Sequence, residues 1–119
     1  MIWLGIALLG GAGTLARVLI DARVRAATGH PELPTGTLTV NIAGSLVLGL
    51  LTGLAVTGDA LLLIGTGFLG AFTTFSTWMV ETERLAGRGR QVLALGYTGL
   101  SLGLGLAACA AGWAIGAAL

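Results

Sequence analysis

The chain has 119 residues, of which 55% are hydrophobic and only 9% are charged, with six basic and five acidic side chains. An ordinary soluble domain carries about a quarter of charged residues, and so few charges cannot cover a surface that faces water. Together with a mean hydropathy of +0.96, the composition excludes an ordinary soluble domain and predicts an integral membrane protein.

Four stretches contain no Asp, Glu, Lys or Arg: residues 1–16, 33–58, 60–80 and 91–119. A helix needs about 20 residues to cross a bilayer, and the first stretch reaches that length if it extends past Arg17. We therefore predict an all-α fold in a single transmembrane domain over residues 1–119. Its four transmembrane helices are predicted at about 2–20, 37–57, 60–83 and 91–118, with short loops that make consecutive helices antiparallel neighbours.

Glycines are abundant inside the predicted spans; the chain has 21 in total. Three pairs lie four residues apart: Gly49/Gly53, Gly99/Gly103 and Gly112/Gly116. Because lipid gives little hydrophobic drive for helix association, small residues that let backbones approach hold membrane helices together. We predict that most of these glycines serve packing. Four such helices can form only a narrow path, or one at a subunit interface.

The second predicted span carries a polar face. Thr37, Asn41 and Ser45 are spaced four residues apart, so they lie on one side of a helix. An amide in hydrocarbon without hydrogen-bond partners is costly, so this face must contact protein or water. Two interpretations are open: Asn41 forms a hydrogen bond between helices, or it lines a path for an ion.

The third predicted span contains GFLGAFTTFSTW at residues 67–78, with four hydroxyl side chains within five positions. This cluster favours a broken helix over a regular one, in which each hydroxyl would bond to the preceding turn. A break frees carbonyls that coordinate a small cation and N–H groups that attract an anion. Phe75 and Trp78 share a face, where ring edges can contact an anion; the alternative is aromatic packing in an unbroken helix.

Three further polar positions lie in or beside the spans. In the fourth span Tyr97 and Ser101 are four residues apart on one face, which Gly105 continues. Glu81 follows Trp78 by three residues, and the sequence leaves open whether it is only a solvated carboxylate at a helix end. Arg17 is either an anchor that reaches the interface or an electropositive group that faces a vestibule.

Three blocks of the sequence resemble the fluoride channel family of bacterial membranes, also called the CrcB or Fluc family. They are GGAGTLAR at residues 10–17, PTGTLTVNIAGSLVLG at residues 34–49 and GFLGAFTTFSTWMVE at residues 67–81. The threonine-threonine-phenylalanine-serine-threonine string in the third block is the specific part. Together with the length and the four spans, the resemblance covers nearly the whole chain.

The resemblance implies an antiparallel dimer with two narrow fluoride pores along the subunit interface. It implies a structural sodium ion at the dimer interface, bound by the main-chain carbonyls of Gly70 and Thr73. It also implies a fluoride pore lined by Asn41, Phe75, Trp78, Ser76, Thr77, Tyr97 and Ser101. The chain departs from the family pattern at Trp78, where phenylalanine is usual, and at Gly105, which offers no hydroxyl.

We expect passive, selective export of fluoride by a multi-pass protein of the bacterial inner membrane. Fluoride is strongly hydrated, and uncharged donors can replace its water without a fixed positive charge that would trap the ion. The alternative is a small dual-topology four-helix transporter coupled to protons, which needs a carboxylate within the membrane; the first span has none. An enzyme is not expected, because no Ser/His/Asp, Cys/His or metal-ligand constellation can be assembled.

All six arginines lie in or beside the loops that follow the first and third spans, on one predicted side of the membrane. By the positive-inside rule, this bias places both termini outside the cytoplasm. A chain that inserts in both orientations should show almost no bias. Two arrangements therefore stay open: an antiparallel homodimer, which we favour, or a heterodimer with an oppositely oriented homologue.

Overall fold

The computed structural model describes all 119 residues, and its regular elements are all helical. In chain order they are α1 (Ile2–Thr28), α2 (Thr35–Gly53), α3 (Gly58–Leu61), a π-helix (Leu62–Leu69), α4 (Gly70–Phe72), α5 (Ser76–Gly87) and α6 (Gln91–Ala118). Four stretches are long and apolar enough to cross a membrane: Ile2–Thr28, Thr35–Gly53, Gly58–Gly87 and Gln91–Ala118. The prediction of an all-α fold with four spans is confirmed.

The first two helices end at other residues than the sequence suggested. Helix α1 continues past Ile20 to Thr28, because residues 21–28 contain neither glycine nor proline and Gly29 then adopts the left-handed conformation, with φ of 67°. Helix α2 begins directly after Pro34 and ends at Gly53 rather than near residue 57. The chain turns there through Ala55, whose φ is 54°.

Helices α2 and α6 meet at a surface that we call the glycine contact, formed by Gly49, Gly53, Gly112 and Gly116. A side chain at Gly49 would overlap the carbonyl of Cys109, so the two backbones approach as closely as the sequence pattern predicted. The third pair behaves differently. No other part of the chain lies within 4 Å of where a Cβ of Gly99 or Gly103 would stand, so this pair does not pack within the bundle.

Helix α1 packs against the π-helix of the third span. Gly13 is buried where the carbonyl of Phe68 approaches it, and a side chain there would overlap that carbonyl. The periodicity of the sequence did not predict a π-helix, because widening the turns of these eight residues leaves the apolar character of the segment unchanged. The packing of α1 against it holds the first half of the third span in place.

The third span is interrupted at residues 73–75, between α4 and α5. Thr73 has an extended backbone, with φ of −82° and ψ of 160°. The predicted break in the third helix is confirmed. It brings the ends of two short helices beside the polar face of α2.

Candidate functional site

Asn41 bonds to the broken segment with both ends of its amide. Its Nδ2 donates to the carbonyl oxygen of Thr74 at 2.9 Å, and the Thr74 N–H donates to Asn41 Oδ1 at 2.8 Å. These bonds satisfy backbone groups that the interrupted helix leaves unpaired. Of the two interpretations of Asn41, the bond between helices is therefore present. One Nδ2 proton is left for another acceptor.

The break also redirects the N–H groups that would bond to Gly70 and Thr73 in a regular helix. In an α-helix each N–H donates to the carbonyl four residues earlier, so Thr74 would serve Gly70 and Thr77 would serve Thr73. Instead, the Thr74 N–H donates to Asn41, and the Thr77 N–H donates to the Thr74 side-chain Oγ1 at 3.2 Å. The carbonyls of Gly70 and Thr73 thus lose their regular helical donors.

Three hydroxyls of the break form one cluster around Thr74. Its side chain donates to Thr77 Oγ1 at 3.1 Å and lies 3.4 Å from Ser76 Oγ. Thr74 itself is buried, whereas Ser76 and Thr77 are exposed on the single chain. Thr73 differs, because its hydroxyl donates to the carbonyl of Leu69 at 3.0 Å, in the preceding turn. The hydroxyl cluster therefore begins at Thr74.

Phe75 and Trp78 form an edge-to-face pair beside this cluster, with ring centroids 5.6 Å apart and planes at 88°. Phe75 lies on the surface of the single chain, with 69% of the residue exposed. The Trp78 indole N–H is buried without a hydrogen-bond partner, and so is the hydroxyl of Ser101 on α6. Buried polar groups without partners are unusual in proteins and require an explanation.

A cavity of about 460 Å³ lies between α2, the third span and α6. It brings together four of the predicted pore residues: Asn41, Phe75, Trp78 and Ser101. Both predicted sodium ligands, Gly70 and Thr73, also line it. The other three pore candidates, Ser76, Thr77 and Tyr97, are not among its lining residues. Their assignment to the pore stays a prediction.

Tyr97 belongs instead to a polar group that we call the Glu81 cluster, made of Asp21, Arg25, Thr37, Glu81 and Tyr97. The Tyr97 hydroxyl donates to Glu81 Oε2 at 3.0 Å, and the Thr37 hydroxyl donates to Oε1 at 3.0 Å. Arg25 Nη2 pairs with the same Oε1. Glu81 is thus bound on both oxygens, with only 12% of its side chain exposed. It is not a freely solvated helix-end carboxylate.

The role of Arg25 was missed because the predicted first helix ended at about Ile20. The helix reaches Thr28, which places Arg25 one turn after Asp21 and lets its Nε donate to Asp21 Oδ1 at 2.9 Å. A signal for the helical extension was present in the absence of glycine and proline from residues 21–28. No local pattern could identify Glu81 as the partner of Arg25.

A second, smaller cavity of about 170 Å³ lies at the arginine-rich end of the molecule. We call it the mouth; its charged lining residues are Arg25, Glu32, Glu81, Arg84 and Arg88. Glu32 lies in the loop between α1 and α2, where a hydrogen bond from its own backbone N–H lowers the pKa of its carboxyl group. Arg17, in contrast, lines neither cavity and forms no ion pair.

Comparison with known sequences gives a consistent set of relatives. The sequence model of the family described as "CrcB-like protein, Camphor Resistance (CrcB)" matches residues 4–113. A protein of Mycobacterium tuberculosis named "Fluoride-specific ion channel FluC 2" is 51% identical over 111 residues, which cover 93% of this chain and 87% of that protein. "Fluoride-specific ion channel FluC 1" of Symbiobacterium thermophilum is 46% identical, over 98% of each chain. "Fluoride-specific ion channel FluC" of Deinococcus radiodurans is 46% identical, over 99% of this chain and 97% of its own.

Proposed function

The chain belongs to the CrcB-like family, and we propose that it is a fluoride-selective ion channel through which fluoride leaves the cell passively. It is a multi-pass membrane protein of the bacterial inner membrane and not an enzyme. The relatives named above, similar over almost their whole length, carry fluoride channel names. The export direction follows because fluoride enters cells as its weak acid and accumulates there as the anion.

The observation that carries this function is the broken third span beside Asn41. The break places an amide, hydroxyls and two aromatic rings around one cavity, with no charged side chain among its lining residues. The amide and the hydroxyls can donate hydrogen bonds to a small anion, and the edge of an aromatic ring presents partial positive charge to it. Because none of them carries a full charge, the ion is not trapped, as conduction requires.

The function can be tested with purified protein in liposomes loaded with equal fluoride and chloride. We expect release of fluoride down its gradient, followed with a fluoride-selective electrode, while chloride is retained. Liposomes loaded with the same ions but without protein serve as the control. Chloride release at the same rate would contradict selectivity, and release that requires a proton gradient would contradict passive conduction.

A proton-coupled transporter is not favoured by the geometry. Such coupling needs a carboxylate in the membrane that can gain and lose a proton. Glu81, three residues after the cavity-lining Trp78, is already bound by Arg25, Thr37 and Tyr97. The names of the relatives also specify a channel.

We infer that the fluoride path follows Asn41, Phe75, Trp78 and Ser101 and continues along Ser76, Thr77 and Tyr97. Phe75, Ser76 and Thr77 are exposed on the single chain although they lie within a membrane-spanning stretch. Exposed hydroxyls and backbone of a broken helix are not tolerated against lipid, so another protein surface must cover them. This requirement supports a dimer, with the pores along its interface.

We further propose that the carbonyls of Gly70 and Thr73 bind a structural sodium ion at the dimer interface. Unwound carbonyls are typical sodium ligands in membrane proteins, and these two have lost their regular helical donors. No group of three or more His, Cys, Asp or Glu side chains could hold a metal ion instead. A second copy would supply two further carbonyls. The ion would join the two broken helices, and no conduction step passes through it.

The dimer can be an antiparallel homodimer or a heterodimer with an oppositely oriented homologue. Labelling of a cysteine at Ala60, in a Cys109→Ala background, separates the two arrangements. Ala60 lies beside the short turn between α2 and α3 and is exposed. We expect an impermeant thiol reagent to label it from both faces of the membrane, as a homodimer of dual topology requires. Labelling from outside only would require a second gene product.

A further inference from the structure

The Glu81 cluster lies one helical turn beyond the cavity on each of the three helices that form the cavity wall. Thr37 precedes Asn41 by four residues, Tyr97 precedes Ser101 by four, and Glu81 follows Trp78 by three. One turn of an α-helix advances about 5.4 Å. All three steps point toward the arginine-rich end, where Glu81 and Arg25 also line the mouth. The cluster therefore stands between the cavity and the mouth.

A carboxylate at this position opposes the passage of an anion. Glu81 is largely buried, and charges interact more strongly where water is scarce than in bulk solvent. The hydroxyls of Thr37 and Tyr97 bind its oxygens but add no charge. Arg25 is the one cation in contact with it.

Arg25 is held in that contact from its other side. Asp21 accepts a hydrogen bond from its Nε, and the Asp21 carboxylate fits against Gly36 at the start of α2. A side chain at Gly36 would overlap that carboxylate. Asp21 is more exposed than Glu81, with 31% against 12% of the side chain accessible, so solvent screens its charge more. The guanidinium thus pairs with both carboxylates, of which Glu81 is the less screened by solvent.

We propose that Arg25 is a positioning residue for conduction, which offsets the charge of Glu81 so that an anion can pass between the cavity and the mouth. This inference rests on the proposed channel function. It assigns to α1 a part in the ion path, although α1 contributes no residue to the cavity wall.

The test compares rates of fluoride release from liposomes for Arg25→Gln and for the double variant Arg25→Gln/Glu81→Gln. An uncompensated carboxylate should slow release in Arg25→Gln by about tenfold or more. Removing the carboxylate as well should restore release to within about threefold of the wild type. Arg23→Gln is the matched control, because Arg23 is exposed, lies two residues away and has no ion pair.

Two outcomes would overturn the inference. If Arg25→Gln releases fluoride as fast as the wild type, Arg25 has no part in conduction, while release by the wild type still supports the channel function. If the double variant is as slow as Arg25→Gln although it elutes as a folded protein in size-exclusion chromatography, the charge of Glu81 is not what Arg25 offsets. Arg25→Gln must also elute as a folded protein, because an unpaired and largely buried Glu81 can destabilise the chain; recovery in the double variant then reports the effect of the Glu81 charge on conduction.

Discussion

Helix α2 takes part in two contacts of opposite character. Toward its C-terminal end the glycine contact brings its backbone against α6, with no polar side chain involved. Toward its N-terminal end Asn41 holds the broken third span through two hydrogen bonds to one residue, Thr74. Both contacts replace the hydrophobic drive that lipid does not provide, one by close approach and the other by hydrogen bonding.

The two contacts differ in how their strength is distributed. Close approach at the glycine contact is spread over four glycines and many weak interactions, and a side chain at any of the four overlaps the backbone of the facing helix. At the break, a single amide satisfies a donor and an acceptor of the backbone, and no other side chain does so. A substitution in the first region should therefore lower the stability of the fold, whereas loss of the Asn41 side chain should remove both hydrogen bonds at once and with them conduction.

The largest effect is expected from Asn41→Asp. The carboxylate cannot donate to the Thr74 carbonyl, and it places a negative charge beside the cavity through which fluoride passes. Fluoride release from liposomes should fall by about a hundredfold or more. Thr39→Val is the matched control, because Thr39 is exposed on the same helix and its hydroxyl bonds only to the carbonyl of Thr35. Normal release by Asn41→Asp would mean that the polar face is only structural.

At the glycine contact, Gly112→Ala should destabilise the fold rather than abolish conduction outright. A methyl group there overlaps the carbonyl of Leu46 on α2. Overpacking of this kind costs about 1–3 kcal/mol, more than the helix propensity of alanine returns. The unfolding midpoint in detergent should fall, while Gly11→Ala, which meets no atom within 4 Å, should not lower it. If the unfolding midpoint of Gly112→Ala equals that of the wild type, close approach between α2 and α6 is not required for stability.

An intermediate effect is expected when sodium is replaced by a large organic cation on both sides of the membrane. If the carbonyls of Gly70 and Thr73 bind sodium, its removal leaves them without partners and loosens the junction of the two subunits. Fluoride release should slow by several-fold and recover when sodium is returned. Replacement by choline at constant ionic strength separates this effect from screening. Unchanged release would argue against the sodium site.

The two regions also differ in how well the sequence predicts them. The spacing of Gly49/Gly53 and Gly112/Gly116 identifies residues that pack, because helix periodicity is local information. The hydroxyl cluster likewise predicts the break. Two features have no such local signal: the bonding of Asn41 to Thr74, 33 positions away, and that of Arg25 to Glu81, 56 positions away. These pairings depend on how helices are arranged in space. Gly99/Gly103 has the same spacing but lies on an outward face of the single chain, so spacing alone does not identify what a glycine pair packs against.

The smallest effect is expected from Trp78→Phe. This substitution tests whether fluoride release depends on the indole N–H of Trp78 or only on its aromatic ring. The phenyl ring keeps an aromatic group at the cavity wall and removes an indole N–H that is buried without a partner. An aromatic contact contributes about 0.5–1.5 kcal/mol, so most of the fluoride release should remain. Trp78→Leu removes the ring edge altogether and should lower release more. Trp113→Phe, at an exposed position on α6, controls for the loss of an indole elsewhere. A loss in Trp78→Phe as large as in Trp78→Leu would show that the N–H donor, and not the ring edge, contacts the ion.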